Sequence, residues 1–478
     1  MADRAARIQF GTDGWRAVLA RDFTFANVRA CAEGVCRLLA EDGLADHGLV
    51  VGYDTRFQSR AFATEVARVS TAHGITTYLA SGTAPTPVVS YNVTHRKAGG
   101  AVVITASHNP AEWNGFKYKP EYGGSAPPEV VERLERHIAA ALAAREPASA
   151  NLNAARASGL LIDADLAPPY LANVERTIDL PSIRDAGLQV LVDSMHGAGA
   201  GYLASLLDGG STTVTELRAE ENPMFPGMAQ PEPIAPNLGP AIAAAQTGGF
   251  DVALATDGDA DRLGLIDERG MSLTTLQVFA LLCLHQLEVR GQRGPLVKSL
   301  TQSAMIDKLG LQYGVPVHTT AVGFKFLGPV MMRENALAAG EESGGYAFRG
   351  NIPERDGIFS ALLLIEMMVR TGKRPSELVD WLYERVGAHH YDRLDVHLAE
   401  GAAEPSLQAL AERVPERIAG LRVIKCDMSD GARFLLEGGY WGLVRASGTE
   451  PLLRIYAEAD SSQRVAAIHE ELRALAGA

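Results

Sequence analysis

The stretch AVVITASHNPAEWNGFKYKP, residues 101–120, places an apolar β-like run directly before Ser107 and breaks the run at Pro110. Ligands of α/β sheets bind at the carboxyl ends of strands, so the pattern predicts a functional loop that presents Ser107. The serine can also simply cap the turn that follows. No G-x-S-x-G elbow surrounds it, and His108 is its direct neighbour, a poor position for a triad base. A serine that carries a phosphoryl group beside a metal fits better.

The chain has 478 residues, enough for three or four domains, and its 47% hydrophobic and 21% charged content suits a soluble globular protein. Its net charge of −13 argues against nucleic-acid and membrane partners. A small anionic substrate remains compatible, because a few arginines can reverse the field locally. Four cysteines without metal-binding spacing, no secretory h-region and no apolar run long enough to span a bilayer predict a cytoplasmic protein. The sequence carries no signal for an oligomeric state.

Apolar β-like runs alternate with Ala- and Leu-rich helical stretches, which predicts α/β layers with mostly parallel strands. Residues 145–159 lose this periodicity and are interpreted as a linker. The C-terminal part changes to short strands and turns. We therefore predict three α/β domains, at 1–150, 160–267 and 268–386, and an α+β domain at 387–478.

The sequence TDGDADR, residues 256–262, spaces three aspartates two apart between apolar runs. Carboxylates packed this tightly repel one another unless a cation compensates, and oxygen ligands suit Mg²⁺ or Ca²⁺. An EF-hand is disfavoured, because its sixth position would be Arg262 instead of glycine and the flanks are strand-like. A solvated acidic turn remains the alternative. The turn at 196–201, HGAGAG, fails the dinucleotide fingerprint because Tyr202 follows it.

Two more stretches suggest ligand contacts. RASGTEPLLR, residues 445–454, combines backbone N–H groups and hydroxyls in a tight turn with flanking arginines, which suits a phosphate. GEESGG, residues 340–345, crowds carboxylates into a glycine-rich turn that can accept hydrogen bonds from sugar hydroxyls. An ordinary hairpin turn and a charged surface loop are the alternatives.

Taken together, these stretches resemble the α-D-phosphohexomutase family, which includes phosphoglucomutases and phosphomannomutases. FGTDGWRA at 10–17 resembles the opening motif, and TASHNP at 105–110 resembles the phosphoserine loop. DGDADR at 257–262, GEESGG and RASGTEP resemble the metal, sugar and phosphate loops. The resemblance implies four domains around a central cleft, three similar α/β domains with mixed sheets and one α+β domain, each contributing one loop.

The resemblance also implies a role for each matching residue. Ser107 would carry the phosphoryl group, and the metal Mg²⁺ would be bound by Ser107, Asp257, Asp259 and Asp261. The groups around the transferring phosphoryl would be Arg16, His108, Lys117 and Arg262. The substrate would be bound by Glu341, Ser343, Arg355, Arg445, Ser447, Gly448, Thr449 and Arg454.

The expected reaction is phosphoryl transfer between the 1- and 6-positions of a hexose phosphate, most simply of glucose, with hexose 1,6-bisphosphate as intermediate and activator. His108 and Lys117 are the candidates for the general acid and base. A phosphomannomutase, a dual-specificity enzyme and a phosphoglucosamine mutase are the close alternatives. A phosphatase with an aspartyl nucleophile in TDGDADR and a non-catalytic sugar-phosphate binding protein are the distant ones. The GEES string favours glucose, although Gly345 and Val322 stand where some members have histidine and threonine.

Overall fold

The computed structural model describes residues 8–144, 147–397, 407–408, 410, 412, 414–446 and 452–477, and the strands of these residues form four sheets. The first three sheets mix parallel and antiparallel pairs and pack against helices, and the fourth is antiparallel throughout. The predicted fold class, three α/β domains with mixed sheets and a C-terminal α+β domain, is confirmed.

The first sheet has six strands in the order β1-β5-β4-β2-β3-β6. Its strands are β1 (Trp15–Val18), β2 (Leu49–Tyr53), β3 (Thr77–Ala80), β4 (Gly100–Ile104), β5 (Trp113–Pro120) and β6 (Leu161–Ala164). Its helices are α1 (Phe25–Glu41), α2 (Ser59–Ala72), α3 (Thr86–Arg96), α4 (Pro128–Ala143) and α5 (Leu152–Ala157), with a 3₁₀ turn at Ala45–His47. Strand β4 is buried along its whole length, since helices α2 and α3 pack on it, and its carboxyl end opens into the loop that carries Ser107.

The second sheet has the order β11-β10-β9-β7-β8. Its strands are β7 (Gln189–Asp193), β8 (Thr213–Leu217), β9 (Val252–Thr256), β10 (Leu263–Ile266) and β11 (Ser272–Leu273). Its helices are α6 (Ala167–Thr177), α7 (Leu180–Arg184), α8 (Tyr202–Leu207) and α9 (Gly239–Gly248), with a 3₁₀ turn at Ala235–Asn237. Strands β9 and β10 pair antiparallel, so the acidic stretch 257–262 is the turn that joins them.

The third sheet has four strands in the order β13-β12-β14-β15. Its strands are β12 (Leu296–Ser299), β13 (Val317–Thr320), β14 (Ala338–Gly340) and β15 (Tyr346–Phe348). Its helices are α10 (Thr275–Leu284), which continues as a π-helical segment at His285–Val289, α11 (Met305–Tyr313), α12 (Phe324–Arg333), α13 (Gly357–Thr371) and α14 (Pro375–Val386). The GEESGG stretch is the turn between antiparallel strands β14 and β15.

The fourth sheet has six strands in the order β16-β21-β20-β19-β18-β17. Its strands are β16 (His390–His397), β17 (Arg417–Ile418), β18 (Leu421–Asp427), β19 (Ala432–Leu436), β20 (Trp441–Ala446) and β21 (Leu452–Ala459), with a 3₁₀ turn at Glu437–Gly439. The C-terminal helix α15 (Ser462–Leu475) packs on β21 and β20.

The apolar core is continuous through much of the first three sheets and separate in the fourth. One cluster of buried side chains runs from the first sheet to helix α14. The fourth sheet has its own cluster, in which α15 packs on the strands. A small group that includes Leu300 and Trp441 joins the third and fourth sheets. The C-terminal domain is therefore a separately packed body on a narrow apolar contact.

Three segments differ from the predicted domain organisation. Residues 145–159, interpreted as a linker, contain helix α5, whose first turn is capped by the Asn151 side chain. Strand β6, predicted to belong to the second domain, pairs in parallel with β3 of the first sheet. Strand β11, predicted to belong to the third domain, pairs with β10 of the second sheet. Of the described helices, none is long and apolar enough to cross a membrane.

Candidate active site

Ser107 is fully buried just beyond the carboxyl end of β4, and its backbone is left-handed, with φ of +51°. Its Oγ donates a hydrogen bond to Asp257 Oδ2 at 2.7 Å, and it lies 3.3 Å from His108 Nδ1. Strained backbone of this kind at a non-glycine residue is concentrated at functional sites. The side chain faces the acidic turn of the second sheet and does not cap a helix.

The contact between the serine loop and the acidic turn depends on a glycine. A Cβ at Gly258 would lie 2.5 Å from the carbonyl oxygen of Ser107 and 3.3 Å from Pro231 Cγ. The Thr86 side chain donates to Asp259 Oδ2, and the Thr86 amide donates to the Asp259 carbonyl at 3.0 Å. The first two sheets therefore approach each other through backbone, which fixes the serine relative to the aspartates.

Asp257, Asp259 and Asp261 are fully buried, and one carboxylate oxygen of each lies within 4.8 Å of the others. Asp259 Oδ1 and Asp261 Oδ1 accept no hydrogen bond from any described residue. Buried carboxylate oxygens without partners are costly unless a cation binds them. Hard oxygen donors at this spacing fit Mg²⁺, so the residues present can hold the predicted metal.

The pKa values of Asp257 and Asp259 are shifted in opposite directions. Burial, followed by the charges of Asp259 and Asp261, raises the pKa of Asp257 well above its ordinary value. Burial also acts to raise the pKa of Asp259, but the Lys117 ammonium outweighs it and holds that pKa below its usual range. Burial and the neighbouring carboxylates therefore favour a proton on Asp257, whereas Lys117 favours the charged form of Asp259.

Lys117 supplies positive charge to the cluster from strand β5. Its Nζ lies 2.8 Å from carboxylate oxygens of Asp13 and Asp259 and 3.1 Å from Asp261. Burial alone would lower its pKa, but Asp13 and then the two other aspartates raise it, so Lys117 stays charged. Arg355 pairs with Asp13 and lies 3.0 Å from Asp261 Oδ2. The opening motif, the metal turn and the third domain thus meet in one charge network.

The other predicted groups around the phosphoryl lie near Ser107 or on the acidic turn, each with its own partner. Arg16 donates to Asn109 Oδ1 at 2.8 Å, and Arg262 donates to Glu232 Oε1 at 2.6 Å. Burial, followed by the charge of Arg262, lowers the pKa of His108 well below its ordinary value. Two arginines and a neutral imidazole are thus available close to the serine.

The two glutamates of the GEESGG turn contact different domains. Glu341 is buried, accepts a hydrogen bond from the Gly323 amide at 2.9 Å, and has a pKa raised by burial to about 7. Glu342 accepts a hydrogen bond from Tyr391 of the fourth sheet at 2.9 Å. Ser343 follows and is half-buried. Only Glu341 of the two glutamates therefore belongs to the interior of the third domain.

The predicted phosphate loop is described in part. Arg445 and Arg454 face each other on the antiparallel strands β20 and β21. Arg445 Nε donates to Asp430 Oδ1 at 2.8 Å, and Asp430 Oδ2 accepts from the Val322 amide of the third domain at 3.1 Å. Residues 447–449, which include the predicted Ser447, Gly448 and Thr449, lie outside the described residues.

Several residues of this site were missed by the sequence analysis. Asp13 lies inside the quoted opening motif, where a buried carboxylate among basic residues signals an ion pair. Glu232 and Thr86 lie in stretches without a charge pattern, and no sequence signal indicates their contacts. Arg56 contacts the serine loop through backbone carbonyls, which no sequence signal indicates.

The four domain models of the phosphoglucomutase/phosphomannomutase family match most of this chain. The α/β/α domains I, II and III match residues 7–145, 168–270 and 276–386, and the C-terminal domain matches 400–475.

Similar proteins match over nearly the full length. A phosphoglucomutase/phosphomannomutase of Thermococcus kodakarensis is 31% identical over 460 residues, which are 95% of each chain. A phosphoglucosamine mutase of Carboxydothermus hydrogenoformans is 29% identical over 98% of each chain. A crystal structure from Thermus thermophilus, of a "putative phosphomannomutase", is 36% identical, covers 99% of this chain and 100% of its own, and superposes with a TM-score of 0.85. The chain belongs to the phosphoglucomutase/phosphomannomutase family of intramolecular phosphotransferases.

Proposed function

We propose that this enzyme interconverts glucose 1-phosphate and glucose 6-phosphate through a phosphoserine at Ser107 and glucose 1,6-bisphosphate. The observation that carries the proposal is the 2.7 Å hydrogen bond from Ser107 Oγ to Asp257, inside a buried cluster of three aspartates. A serine hydroxyl at a carboxylate cluster suits phosphoryl transfer, because the cluster can hold a cation that compensates phosphate charge.

In the first half-reaction the phosphoryl group leaves Ser107 Oγ, and a new P–O bond forms to the free hydroxyl of the bound sugar phosphate. The sugar hydroxyl gives up its proton as the bond forms, and Ser107 Oγ takes up one proton as it loses the phosphoryl group. The sugar bisphosphate then turns in the cleft, and its other phosphate returns to Ser107 Oγ. Each half-reaction breaks one P–O bond and forms one, so water and net phosphate release are not needed.

The positive side chains close to Ser107 stabilise the charge that spreads over the equatorial phosphoryl oxygens. Arg16 and Arg262 supply planar forks, and Lys117 supplies an ammonium that the neighbouring carboxylates keep protonated. His108, at 3.3 Å from Ser107 Oγ, is within reach of the proton that the hydroxyl exchanges.

Asp257, Asp259 and Asp261 would hold Mg²⁺, and an oxygen of a phosphate on Ser107 would be a further ligand. Bound there, Mg²⁺ would neutralise phosphate charge and polarise phosphorus. The orphaned oxygens of Asp259 and Asp261 support this assignment.

The sugar and the phosphate that does not react would bind on the third and fourth domains. Glu341 and Ser343 would form hydrogen bonds with sugar hydroxyls, and Arg355, whose charge acts on Glu341, would lie near the sugar. Arg445 and Arg454, with Ser447, Gly448 and Thr449, would grip the distal phosphate. Guanidinium groups and backbone N–H groups can bind the phosphate in either orientation of the sugar.

Glucose is favoured by the GEES string, and related proteins carry names for glucose, mannose and glucosamine phosphates. A coupled assay with the 1-phosphates of the three sugars separates them. We expect the highest kcat/KM with glucose 1-phosphate. A preference for mannose or glucosamine would correct the substrate and leave the reaction in place.

The Ser107→Ala variant tests the reaction itself, with Ser205→Ala, an exposed serine on α8, as the matched control. Without the phosphoryl carrier we expect kcat to fall by roughly 10⁴-fold or more, while the control is unchanged. Normal turnover by Ser107→Ala would refute the proposal. Net phosphate release that survives this substitution would point to an aspartyl phosphatase.

A further inference from the structure

Arg56, just beyond the end of strand β2, is a buried arginine that belongs to none of the predicted loops. Its guanidinium donates hydrogen bonds to three backbone carbonyls of the loop that starts at Ser107 and to the carbonyl of Trp113, the first residue of β5. Nη2 bonds to the carbonyls of Ser107, at 2.6 Å, and Asn109, at 2.5 Å. Nη1 bonds to those of Pro110, at 2.8 Å, and Trp113, at 3.1 Å. One side chain therefore reaches carbonyls along the whole loop.

These hydrogen bonds supply donors to backbone carbonyls of the Ser107 loop. The carbonyls of Ser107, Asn109 and Pro110 lie between β4 and β5, outside the ladder that pairs these two strands, and buried carbonyls need donors. Ser107 also holds a left-handed φ of +51°, which costs conformational energy that the surroundings must offset. A planar fork with several fixed N–H directions can satisfy carbonyls at set angles, which a lysine ammonium cannot do in the same way.

Arg56 is itself fixed from two sides. Its Nε lies 3.3 Å from Asp54 Oδ2, and both side chains are fully buried. The ring of Phe225, from the second domain, covers the guanidinium with its centroid 4.9 Å from Cζ. The neighbouring Thr55 hydroxyl donates to the carbonyl of His196, also in the second domain, at 2.8 Å. The clamp on the serine loop is thereby joined to the domain that carries the aspartates.

We propose that Arg56 is a positioning residue for phosphoryl transfer, which holds the backbone of the Ser107 loop so that Oγ stays on the acidic turn. The proposal rests on the proposed role of Ser107. Arg56 touches backbone oxygens of the loop and not the reacting hydroxyl, so its effect passes through the geometry of the loop.

The Arg56→Lys variant tests this role, because it keeps the positive charge and most of the volume but loses the planar fork. Misplacement of a reacting group by about 1 Å can cost about 100-fold in rate. We therefore expect kcat to fall roughly 100-fold, with KM for the sugar phosphate unchanged. Amide hydrogen exchange of residues 107–113 should accelerate, while exchange in the fourth sheet stays the same.

A second variant, Arg56→Ala, allows chemical rescue. Arg56 is among the residues that line a surface cavity of about 800 Å³, together with Phe25, Thr64 and Arg60. Truncation should open this cavity toward the loop, so millimolar guanidinium should restore part of kcat, and ammonium should not. Arg60→Ala, an exposed arginine of the same cavity, is the control that should keep normal kinetics.

The outcomes separate this proposal from the proposed function. If folded Arg56→Lys keeps kcat within a factor of about two, or loses only substrate affinity, Arg56 does not position the loop. The proposed function would still hold in that case, provided that Ser107→Ala is inactive. If Arg56→Ala does not fold, the Arg56→Lys kinetics decide. Unchanged exchange at 107–113 in Arg56→Lys would overturn the proposal without reference to activity.

Discussion

The loop of Ser107 and the strands of Arg445 and Arg454 form two sides of the predicted active site, and they are built in opposite ways. Ser107 is fully buried, strained, bonded to Asp257 and held through its backbone by Arg56. Arg445 keeps 18% of its side chain exposed and has a single carboxylate partner, Asp430, among the described residues. Among the described residues, the serine with the proposed chemistry is held by many contacts, whereas the Arg445 side chain that would bind a phosphate has one carboxylate partner.

The apolar cores show the same division. The first three sheets share a continuous cluster of buried side chains, whereas the fourth sheet packs around its own. Domain interfaces that are small allow relative motion by default. The comparison therefore predicts that substitutions near Ser107 change the rate of the chemical step, and that substitutions on the fourth sheet change substrate binding.

After the loss of Ser107 itself, the largest effect is expected from the metal cluster. In Asp259→Asn one buried charge that the Mg²⁺ site needs is lost, so kcat should fall by roughly 10³-fold and its dependence on Mg²⁺ should disappear. The measurement is kcat against Mg²⁺ concentration after treatment with a chelator. Asp208→Asn, an exposed aspartate of the same domain, is the control. If chelation leaves the wild-type rate untouched, the metal assignment is wrong.

On the fourth sheet we expect a smaller effect, which changes substrate binding and not the chemical step. Arg445→Ala should raise KM roughly 10- to 100-fold, because hydrogen bonds to a charged group contribute about 1.5–3 kcal/mol, and kcat should change little. Arg422→Ala, an exposed arginine on β18, should have normal constants. A fall in kcat at constant KM would show that Arg445 acts in the chemical step, and the predicted difference between the two sides would then be wrong.

The smallest effect is a pH dependence from Glu341, between the two sides. Burial raises its pKa to about 7, so the ionised form that accepts hydroxyl hydrogen bonds gains population as the pH rises. The kcat/KM of the wild type should increase about tenfold from pH 6 to pH 8 relative to Glu341→Gln. Parallel profiles of the two proteins would contradict this role. The same raised pKa means that this carboxyl's contribution to stability is full below its unfolded pKa and is lost as the pH rises through about 7.

The sequence predicted the fold class and the side chains whose chemistry is visible in their type. Three aspartates two apart indicate a cation, and the structure brings Asp257, Asp259 and Asp261 together beside Ser107. The domain boundaries were harder to predict from the sequence, because the sheet to which a strand belongs depends on pairing between distant strands. Strand β6 reads like the start of a new domain and pairs with β3.

Arg56 could not be predicted for a different reason. Its partners are four backbone carbonyls, and a sequence does not display where a carbonyl points. The helix at 152–157 shows a signal that was overlooked: Asn151 stands before an Ala-rich stretch, as an N-cap residue does, and its side chain accepts from two backbone amides.

The most direct test of the account follows the phosphoryl group. The enzyme is loaded with glucose 1,6-bisphosphate carrying labelled phosphate, digested, and analysed for the peptide that holds the label; a second portion is chased with unlabelled glucose 1-phosphate. We predict label on Ser107 alone, lost in the chase and recovered in glucose phosphates. Label on an aspartate of 257–261, or label released only as inorganic phosphate, would contradict the account.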